Sequence, residues 1–303
     1  MAGVITVGST PKLLWPGLNA IWGLSYDEGK MQWPEIFDRY TSTKNYEEDV
    51  GLTGTGLLKE KANGAAIEYD SMKQSYVTRY THVTYGLGYI ITREELEDVL
   101  YPQFGPQRTR ALAFSAMQTK EIICANILNR AFSGSYPGAD GVSLINAAHP
   151  LSGGTASNTL DHAADFSEDA LEELLIRIGL ATDDRGLKIN ISGLKLIGPP
   201  QLRYDFQRVL GNPERPATAN RDINAIYQLG DLSQGFVINK YLTDPDAWFI
   251  KTDIPDGLKL FQRRPIEFGQ DNDFETENSK NKVTERYSAG CTDWRGIFGS
   301  PGA

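Results

Sequence analysis

The chain has 303 residues, of which 40% are hydrophobic and 23% charged, so it can bury two modest cores and is neither disordered nor collagen-like. Its formal net charge of −9 argues against a surface that binds nucleic acid by neutralising phosphates. No apolar run approaches the roughly 20 residues that span a bilayer, residues 1–16 lack a signal-peptide pattern, and Cys124 and Cys291 form no CxxC pair. We therefore expect synthesis in a reducing cytoplasm and no membrane insertion.

Residues 1–50 form an arm that we expect to be irregular. Prolines interrupt any helix in it, at Pro11, Pro16 and Pro34. Three of the five tryptophans of the chain also lie there, at Trp15, Trp22 and Trp33. An arm with large aromatic side chains and no core needs another surface to cover them, either that of a second copy or that of its own domain.

Residues 51–91 change to glycine-rich turns followed by a β-prone run. The glycines are Gly51, Gly54, Gly56 and Gly64, and the alternating residues that follow are Tyr76, Thr78, Tyr80, His82 and Thr84. This pattern predicts a long hairpin. Because two strands alone are only marginally stable in water, the hairpin would need support from a neighbour.

Residues 92–165 contain the strongest helical signals. Thr92 and Glu95 have capping-box spacing and predict a short helix over 93–100, which should break at Pro102. Apolar positions at helical spacing then predict a long helix over about 106–132. At about 1.5 Å per residue this helix would form a rod of roughly 40 Å, although an ordinary core helix gives the same pattern. A loop rich in glycine, serine and asparagine follows it.

Residues 166–260 alternate between helix and strand signals. Ser167 should cap an amphipathic helix over 168–181. Further elements are predicted for a strand at 194–197, a helix at 201–210, and strands at 236–239 and 248–251. The succession indicates a mixed α/β lobe. The last segment, 261–303, continues a strand-like run that begins at Leu258, and it adds a second such run over 284–287 after a polar stretch at 270–282.

The common catalytic and ligand-binding motifs are missing from the sequence. There is no HExxH, GxSxG, GxxxxGK[ST] or CxxC motif, and Gly54-Thr55-Gly56 lacks the third glycine of a dinucleotide-binding loop. His149 and His162 have no further ligand at a recognised metal spacing. We therefore predict no catalytic, cofactor-binding or metal-binding residue and no enzyme, although a hydrolase with carboxylates from distant positions stays open.

The order of these parts and two short motifs carry a family resemblance. The first motif is a loop with Asp140-Gly141-Val142-Ser143-Leu144, Ala148-His149-Pro150 and Gly153-Gly154-Thr155-Ala156-Ser157-Asn158. The second is the ending Asp293-Trp294-Arg295-Gly296 with Phe298-Gly299-Ser300. Over nearly its whole length the chain resembles tailed-bacteriophage major capsid proteins with the Hong Kong 97 fold, and more narrowly the phage Mu-type major head subunits.

The resemblance implies an α+β capsid fold with a fixed division of the chain. Its parts would be an N-terminal arm (1–50), an extended E-loop (51–91), a P domain (92–165) with a spine helix at about 104–133, an A domain (166–260), and strands that return to the P domain (261–303). It also implies hexamers and pentamers in an icosahedral shell around double-stranded DNA that is bound without sequence specificity. A portal, a decoration protein and a separate scaffolding protein would be partners, the last because the arm starts so near Met1. The protein would be located in the virion.

The capsid hypothesis places the functional residues at contacts between copies. The predicted intersubunit contacts are Trp15, Trp22, Trp33, Tyr76 and Tyr80, together with the paired arginines Arg263 and Arg264, for which an intersubunit ion pair is expected. The rival hypotheses are the hydrolase and another phage structural or array-forming protein. Assembly into closed shells would separate the capsid protein from both.

Overall fold

The computed structural model describes residues 15–27, 30–64, 66–72, 74–98, 101–214 and 222–303. In these residues the α-helices are α1 (Trp15–Asp27), α2 (Arg93–Glu97), α3 (Tyr101–Asn129), α4 (Glu168–Gly179), α5 (Arg203–Leu210) and α6 (Ala225–Leu229). The strands are β1 (Asp38–Thr41), β2 (Tyr46–Leu52), β3 (Gln74–Thr81), β4 (Val83–Ile91), β5 (His149–Leu151), β6 (Gly154–Ala156), β7 (Gly193–Gly198), β8 (Phe236–Ile238), β9 (Trp248–Thr252), β10 (Leu258–Asn272), β11 (Ser279–Cys291) and β12 (Ile297–Ser300). Short 3-10 helices are Trp33–Glu35, Pro200–Leu202 and Trp294–Gly296.

Four strands form sheet A in the order β1-β10-β11-β4. Strands β10 and β11 form a long antiparallel hairpin, and β4 pairs antiparallel with β11. Along β11 every second residue from Ser279 to Tyr287 is buried, as expected for a strand with one covered face. The polar stretch 270–282, predicted only as a polar interval between strand-like runs, supplies the end of β10, the turn and the start of β11.

The long helix α3 covers this sheet and begins earlier than predicted. Pro102 lies in its first turn and Pro106 lies inside it. The predicted break at Pro102 is wrong because the first turn of a helix has no internal acceptor for its N–H groups, so proline is tolerated there. The helix ends at Asn129 and not at residue 132. The capping box of α2, by contrast, is confirmed at Thr92 and Glu95.

The described part of the arm contains helix α1, so the prediction of an irregular chain is wrong there. Pro16 is the second residue of α1, where it starts the helix instead of interrupting it. Trp22 is buried and stacks on Phe268 of β10, with ring centroids 5.7 Å apart. Leu18 packs in the same cluster as Leu112 of α3. The arm is therefore held on its own subunit at this point.

The predicted hairpin exists, with different bounds. Strand β2 begins at Tyr46, inside the predicted arm, and pairs antiparallel with β3. Strand β4, which was assigned to the hairpin, belongs to sheet A. The chain turns from hairpin to sheet at His82, whose Nδ1 and Nε2 lie 2.9 Å and 3.0 Å from the hydroxyl oxygens of Ser288 and Ser42.

Sheet B has the order β12-β9-β7-β8 and is covered by α4, α5 and α6. Ser167 caps α4 as predicted, with its hydroxyl accepting from the N–H of Ala170. Strand β12 joins this sheet by pairing with β9. The prediction that the last strands all return to the sheet beside the long helix is therefore wrong for β12.

A core between the two sheets joins them into one body. It contains Trp33 and Phe37 of the arm, Leu128 of α3, Phe249 of β9 and Leu260 of β10. A buried ion pair lies beside it, in which Lys120 Nζ is 2.5 Å from Glu285 Oε1. The ring of Trp33 lies 4.8 Å from the same Nζ atom.

Candidate assembly surfaces

The tip of the β2–β3 hairpin exposes apolar side chains that its own subunit does not cover. Leu58 is 100% exposed and Tyr69 is 96% exposed. Other exposed apolar residues of the hairpin are Val50, Leu52, Leu57, Ile67, Met72, Tyr76 and Val77. A concentrated set of this kind, rather than scattered single residues, indicates a surface that another molecule covers.

The base of the hairpin is fixed by partly buried polar contacts. Asp49 of β2 accepts from Lys259 Nζ at 2.8 Å and from the hydroxyl of Thr292 at 2.8 Å. The hydroxyl of Tyr80 lies 2.7 Å from that of Thr292 and is the donor there, because Thr292 gives its own proton to Asp49. Burial raises the pKa of the Tyr80 phenol, so this donor keeps its proton across the physiological range.

Further out, the hairpin is held by contacts that are exposed or only partly buried. Arg185 forms an ion pair with Asp70 at 2.5 Å and donates to the carbonyl of Ser71 at 2.7 Å. The hydroxyl of Ser75 donates to Asp184 at 3.0 Å. Exposed ion pairs contribute only about 0–1 kcal/mol each, so the tip is held far more weakly than the base.

A cleft of about 600 Å³ separates the hairpin from the body and is lined by several carboxylates. Each of these carboxylates has a structural partner. Asp49 binds Lys259, Asp140 binds His149, Asp184 binds Arg295, and Asp183 accepts from backbone N–H groups. Among the residues that the structure describes, no group of three or more histidine, cysteine or acidic residues is placed to hold a metal ion.

The two motifs of the sequence meet in one buried hub. His149 stacks on Trp294 with ring centroids 4.1 Å apart, and its Nδ1 lies 2.5 Å from Asp140. Its Nε2 donates to Asn158 Oδ1 at 3.0 Å. The Asn158 amide donates to the backbone carbonyls of Leu144, Trp294 and Ile297. These residues therefore join the loop after α3 to the C-terminal strand, and their role is structural.

The predicted contact residues of the arm lie in different environments. Trp22 and Trp33 are buried in their own subunit, as is Tyr80, with exposed fractions of 5%, 4% and 3%. In this conformation these three side chains do not make the predicted intersubunit contacts, because packing within their own chain already covers them. The side chain of Trp15 lies outside the described residues.

Tyr76, Arg263 and Arg264 remain available to a neighbour. Tyr76 is 38% exposed, and its hydroxyl donates to the carbonyl of Pro150 at 2.8 Å. The two arginines lie where the pairing of β10 with β11 shifts register, and both are half-buried. The Nε atom of each is buried without a hydrogen-bond partner in the described part of the chain.

Sequence reasoning missed the residues that anchor the hairpin. Asp49, Lys259 and Thr292 are far apart in the chain, and no motif connects them. The apolar tip did leave a signal, because the pair Leu57-Leu58 stands in a glycine-rich polar segment with no other large apolar side chain within four residues. No described helix is both long and apolar enough to cross a bilayer.

The fold is of the Hong Kong 97 type, as in tailed-phage capsid proteins. The sequence model of a family described as "Phage capsid protein" matches residues 75–299. Since this match covers more than half of the chain, the protein belongs to the phage capsid protein family. Its function is that of a major capsid protein.

Solved structures support the same fold. The chain is similar to a structure titled Mycobacterium phage Che8, with 13% identity, a TM-score of 0.54, and coverage of 90% of this chain and 93% of that one. It is similar to a virus-like particle from Pyrococcus furiosus, with 12% identity, a TM-score of 0.54, and coverage of 94% and 98%. The procapsid of bacteriophage JBD30 matches with 12% identity, a TM-score of 0.54, and coverage of 98% and 76%. None of the curated proteins compared with the chain matches it.

Proposed function

We propose that this capsid protein forms the hexamers and pentamers of an icosahedral head around double-stranded DNA, and that the hairpin of each subunit lies across a neighbour. The observation that carries the proposal is the apolar hairpin tip, with Leu58 wholly exposed, on a base that partly buried hydrogen bonds fix to the subunit. Covering such a tip requires a second molecule, and heterologous contacts between identical subunits supply one.

The division of the chain follows from this proposal. The hairpin Tyr46–Thr81 acts as the E-loop, α3 with sheet A as the P domain, and 166–260 as the A domain around the capsomer axes. Tyr76, Arg263 and Arg264 contact adjacent subunits. A Mu-type head subunit is part of the proposal because the two motifs that contain His149 and Trp294 resemble that group, and in the fold they pack together.

The same proposal includes the other components of the virion. A separate scaffolding protein, a portal and a decoration protein would be partners of this subunit. The net charge of −9 suits a capsid shell that encloses DNA without binding it tightly. Synthesis in the reducing cytoplasm of the host fits the two cysteines, which are both free thiols. Burial raises the pKa of Cys124 to about 12, so this thiol stays protonated.

Two rival functions have less support. A hydrolase needs a carboxyl group with a raised pKa in a cleft. Burial does raise the pKa of Glu121, but this carboxylate accepts from the backbone N–H groups of Gln32 and Trp33 and fixes the arm to α3. An array-forming protein would share the exposed hairpin and would give tubes or sheets in place of closed shells.

The test is to alter the hairpin tip without altering the core. Deleting residues 54–68, or replacing both Leu57 and Leu58 with serine, should leave a folded subunit that no longer forms shells. The matched control is Leu24→Ser, since Leu24 is 66% exposed but lies on α1. Circular dichroism measures folding, and negative-stain electron microscopy measures assembly. Unfolding of the deletion variant, or normal shells from the double-serine variant, would contradict the proposal.

A further inference from the structure

Strand β4 is an edge strand of sheet A with one side left unpaired. It is the last strand in the order of the sheet and pairs with β11 on its other side, and within the described ranges no strand pairs with the remaining side. Its nine residues, Val83–Ile91, include no charged residue and no proline. The opposite edge strand, β1, is only four residues long and carries Asp38 and Arg39. Because natural edges are usually short, charged or interrupted by proline, β4 has the character of an edge that another strand completes.

A cavity of about 120 Å³ lies between β4 and α3. Leu87 of β4 and Thr119 of α3 line it and are both exposed, so the cavity opens beside the free edge of β4. Tyr287 also lines it, and the buried hydroxyl of this residue has no hydrogen-bond partner in the part of the chain that the structure describes. Since an apolar cavity of about 150 Å³ can hold benzene, this cavity has room for one aromatic ring. The unpaired hydroxyl indicates that the missing group has a polar end.

The hairpin tip contains a segment of matching chemistry. Residues 66–69 belong to no helix or strand and alternate between apolar and acidic side chains at Ile67, Glu68 and Tyr69. Ile67 and Tyr69 are 62% and 96% exposed. Isoleucine and tyrosine favour strands, and alternation with a period of two is typical of a strand with one covered face. Because Tyr69 is almost wholly exposed, it does not occupy the cavity of its own subunit.

We infer that residues 66–69 of one subunit add a strand to the free edge of β4 in a neighbouring subunit and place Tyr69 in the cavity. The hydroxyl of Tyr69 then becomes the missing partner of the Tyr287 hydroxyl. In a strand addition, main-chain hydrogen bonds provide the affinity and a pocket for an alternate side chain provides the specificity. The inference rests on the proposed contact of each hairpin with a neighbour, and it identifies where the hairpin docks.

The charges on the other face of sheet A agree with this docking. When Tyr69 faces α3, Glu68 points to the opposite face, because successive side chains of a strand alternate. That face carries Lys282 of β11, which is exposed and forms no ion pair with any residue that the structure describes. Gly88 is its partner on β4, so no side chain separates Lys282 from an added strand about 10 Å away. The present partner of Glu68 is Lys59, in an exposed pair that contributes little and can be exchanged.

Filling the cavity or changing its ligand tests the docking. Ala116 lines the cavity, and Ala116→Leu should leave the subunit folded but lower the yield of shells about tenfold or more. Leu87→Lys should have the same effect, because it charges the free edge at a position that is 56% exposed. Tyr69→Ala should match both, and Tyr69→Phe should lose less because only the hydroxyl is removed. The matched control is Gln107→Leu, at an exposed position of α3, which should assemble normally.

A carbodiimide, which joins carboxylates to amines, provides a direct readout of the contact. Shells should give a cross-link between Glu68 and Lys282, identified by mass spectrometry, and unassembled subunits should not. Thermal melts of the unassembled variants separate loss of docking from loss of folding. Normal yields from the folded Tyr69→Ala and Leu87→Lys variants, or the same cross-link in unassembled subunits, would overturn the inference. If the Leu57 and Leu58 double-serine variant still fails to assemble in that case, the proposed function stands and only this docking position is refuted.

Discussion

Replacing Lys120 with methionine should destabilise the subunit by about 3–5 kcal/mol, because it would leave Glu285 buried without its cation. The side chains of Lys120 and Glu285 are 3% and 6% exposed, and their charged atoms are 2.5 Å apart. Gln262 donates to the same Glu285 oxygen at 2.7 Å, and this single bond cannot replace the ammonium group. Such a loss is a large part of the roughly 5–15 kcal/mol that stabilises a typical domain.

An exposed ion pair of the same length is the control. Lys59 Nζ also lies 2.5 Å from Glu68, but these side chains are 73% and 69% exposed. Lys59→Met should therefore cost about 0–1 kcal/mol. The double variant Lys120→Met/Glu285→Met should be less destabilised than Lys120→Met alone, because no uncompensated charge remains.

Urea unfolding of unassembled subunits, followed by circular dichroism and tryptophan fluorescence, measures these free energies. The slope of the unfolding curve should stay constant across the variants, so that shifts in midpoint report stability. If Lys120→Met costs no more than Lys59→Met, burial does not govern the strength of these pairs and the argument fails.

Two further predictions concern the base of the hairpin and the motif hub. Burial, with smaller contributions from Arg286 and Arg263, lowers the pKa of His82 below its ordinary value of about 6.5. The stability that neutral His82 provides is therefore present above pH 6.5 and is lost as the pH falls below that value. In urea unfolding, the wild type should lose more stability between pH 7 and 5.5 than the His82→Gln variant does. Equal losses would contradict this prediction. Asn158→Ala should lower the free energy of unfolding by about 3 kcal/mol or more in the same assay, because it leaves several buried backbone groups unpaired. The control Asn63→Ala, at the exposed tip, should change it very little. Similar losses in the two variants would contradict the structural role of the hub.

Local signals in the sequence predicted the elements that depend on local chemistry. The capping box at Thr92, the cap at Ser167 and the apolar face of α4 each act within a few residues, so they could be read directly. Proline was misinterpreted at Pro16 and Pro102, because its effect depends on whether it falls in the first turn of a helix. A sequence pattern does not fix that position unless the helix start is already known.

Elements that depend on distant partners were predicted less well. The polar end of β10 and start of β11 carry weak strand propensity, and pairing across the long hairpin makes them strands. Strand β12 was missed because its pairing partner, β9, is distant in the sequence. The same limit applies to the site, since Asp49, Lys259 and Thr292 become neighbours only in the fold.

The burial of Trp22 and Trp33 shows why aromatic content alone did not identify the contact surface. A tryptophan needs cover, but the sequence does not state which surface provides it, and α1 and the following turn place both rings on their own subunit. The predicted intersubunit cover of the arm is thus replaced at these positions by intrachain packing. The apolar side chains of the hairpin tip, by contrast, are not covered by their own subunit.

The strengths of the hairpin contacts separate folding from assembly. The base of the hairpin is bonded through Asp49 to Lys259, whose side chain is 6% exposed, so it should form with the rest of the fold. The tip is bound to Arg185 through an exposed pair that a neighbour can replace at little cost. The tip contributes little to the stability of the subunit. Its apolar side chains can therefore move from solvent to a contact with a neighbouring subunit while the subunit stays folded. Changes at the tip should therefore alter assembly at constant stability, and changes at the base should alter both.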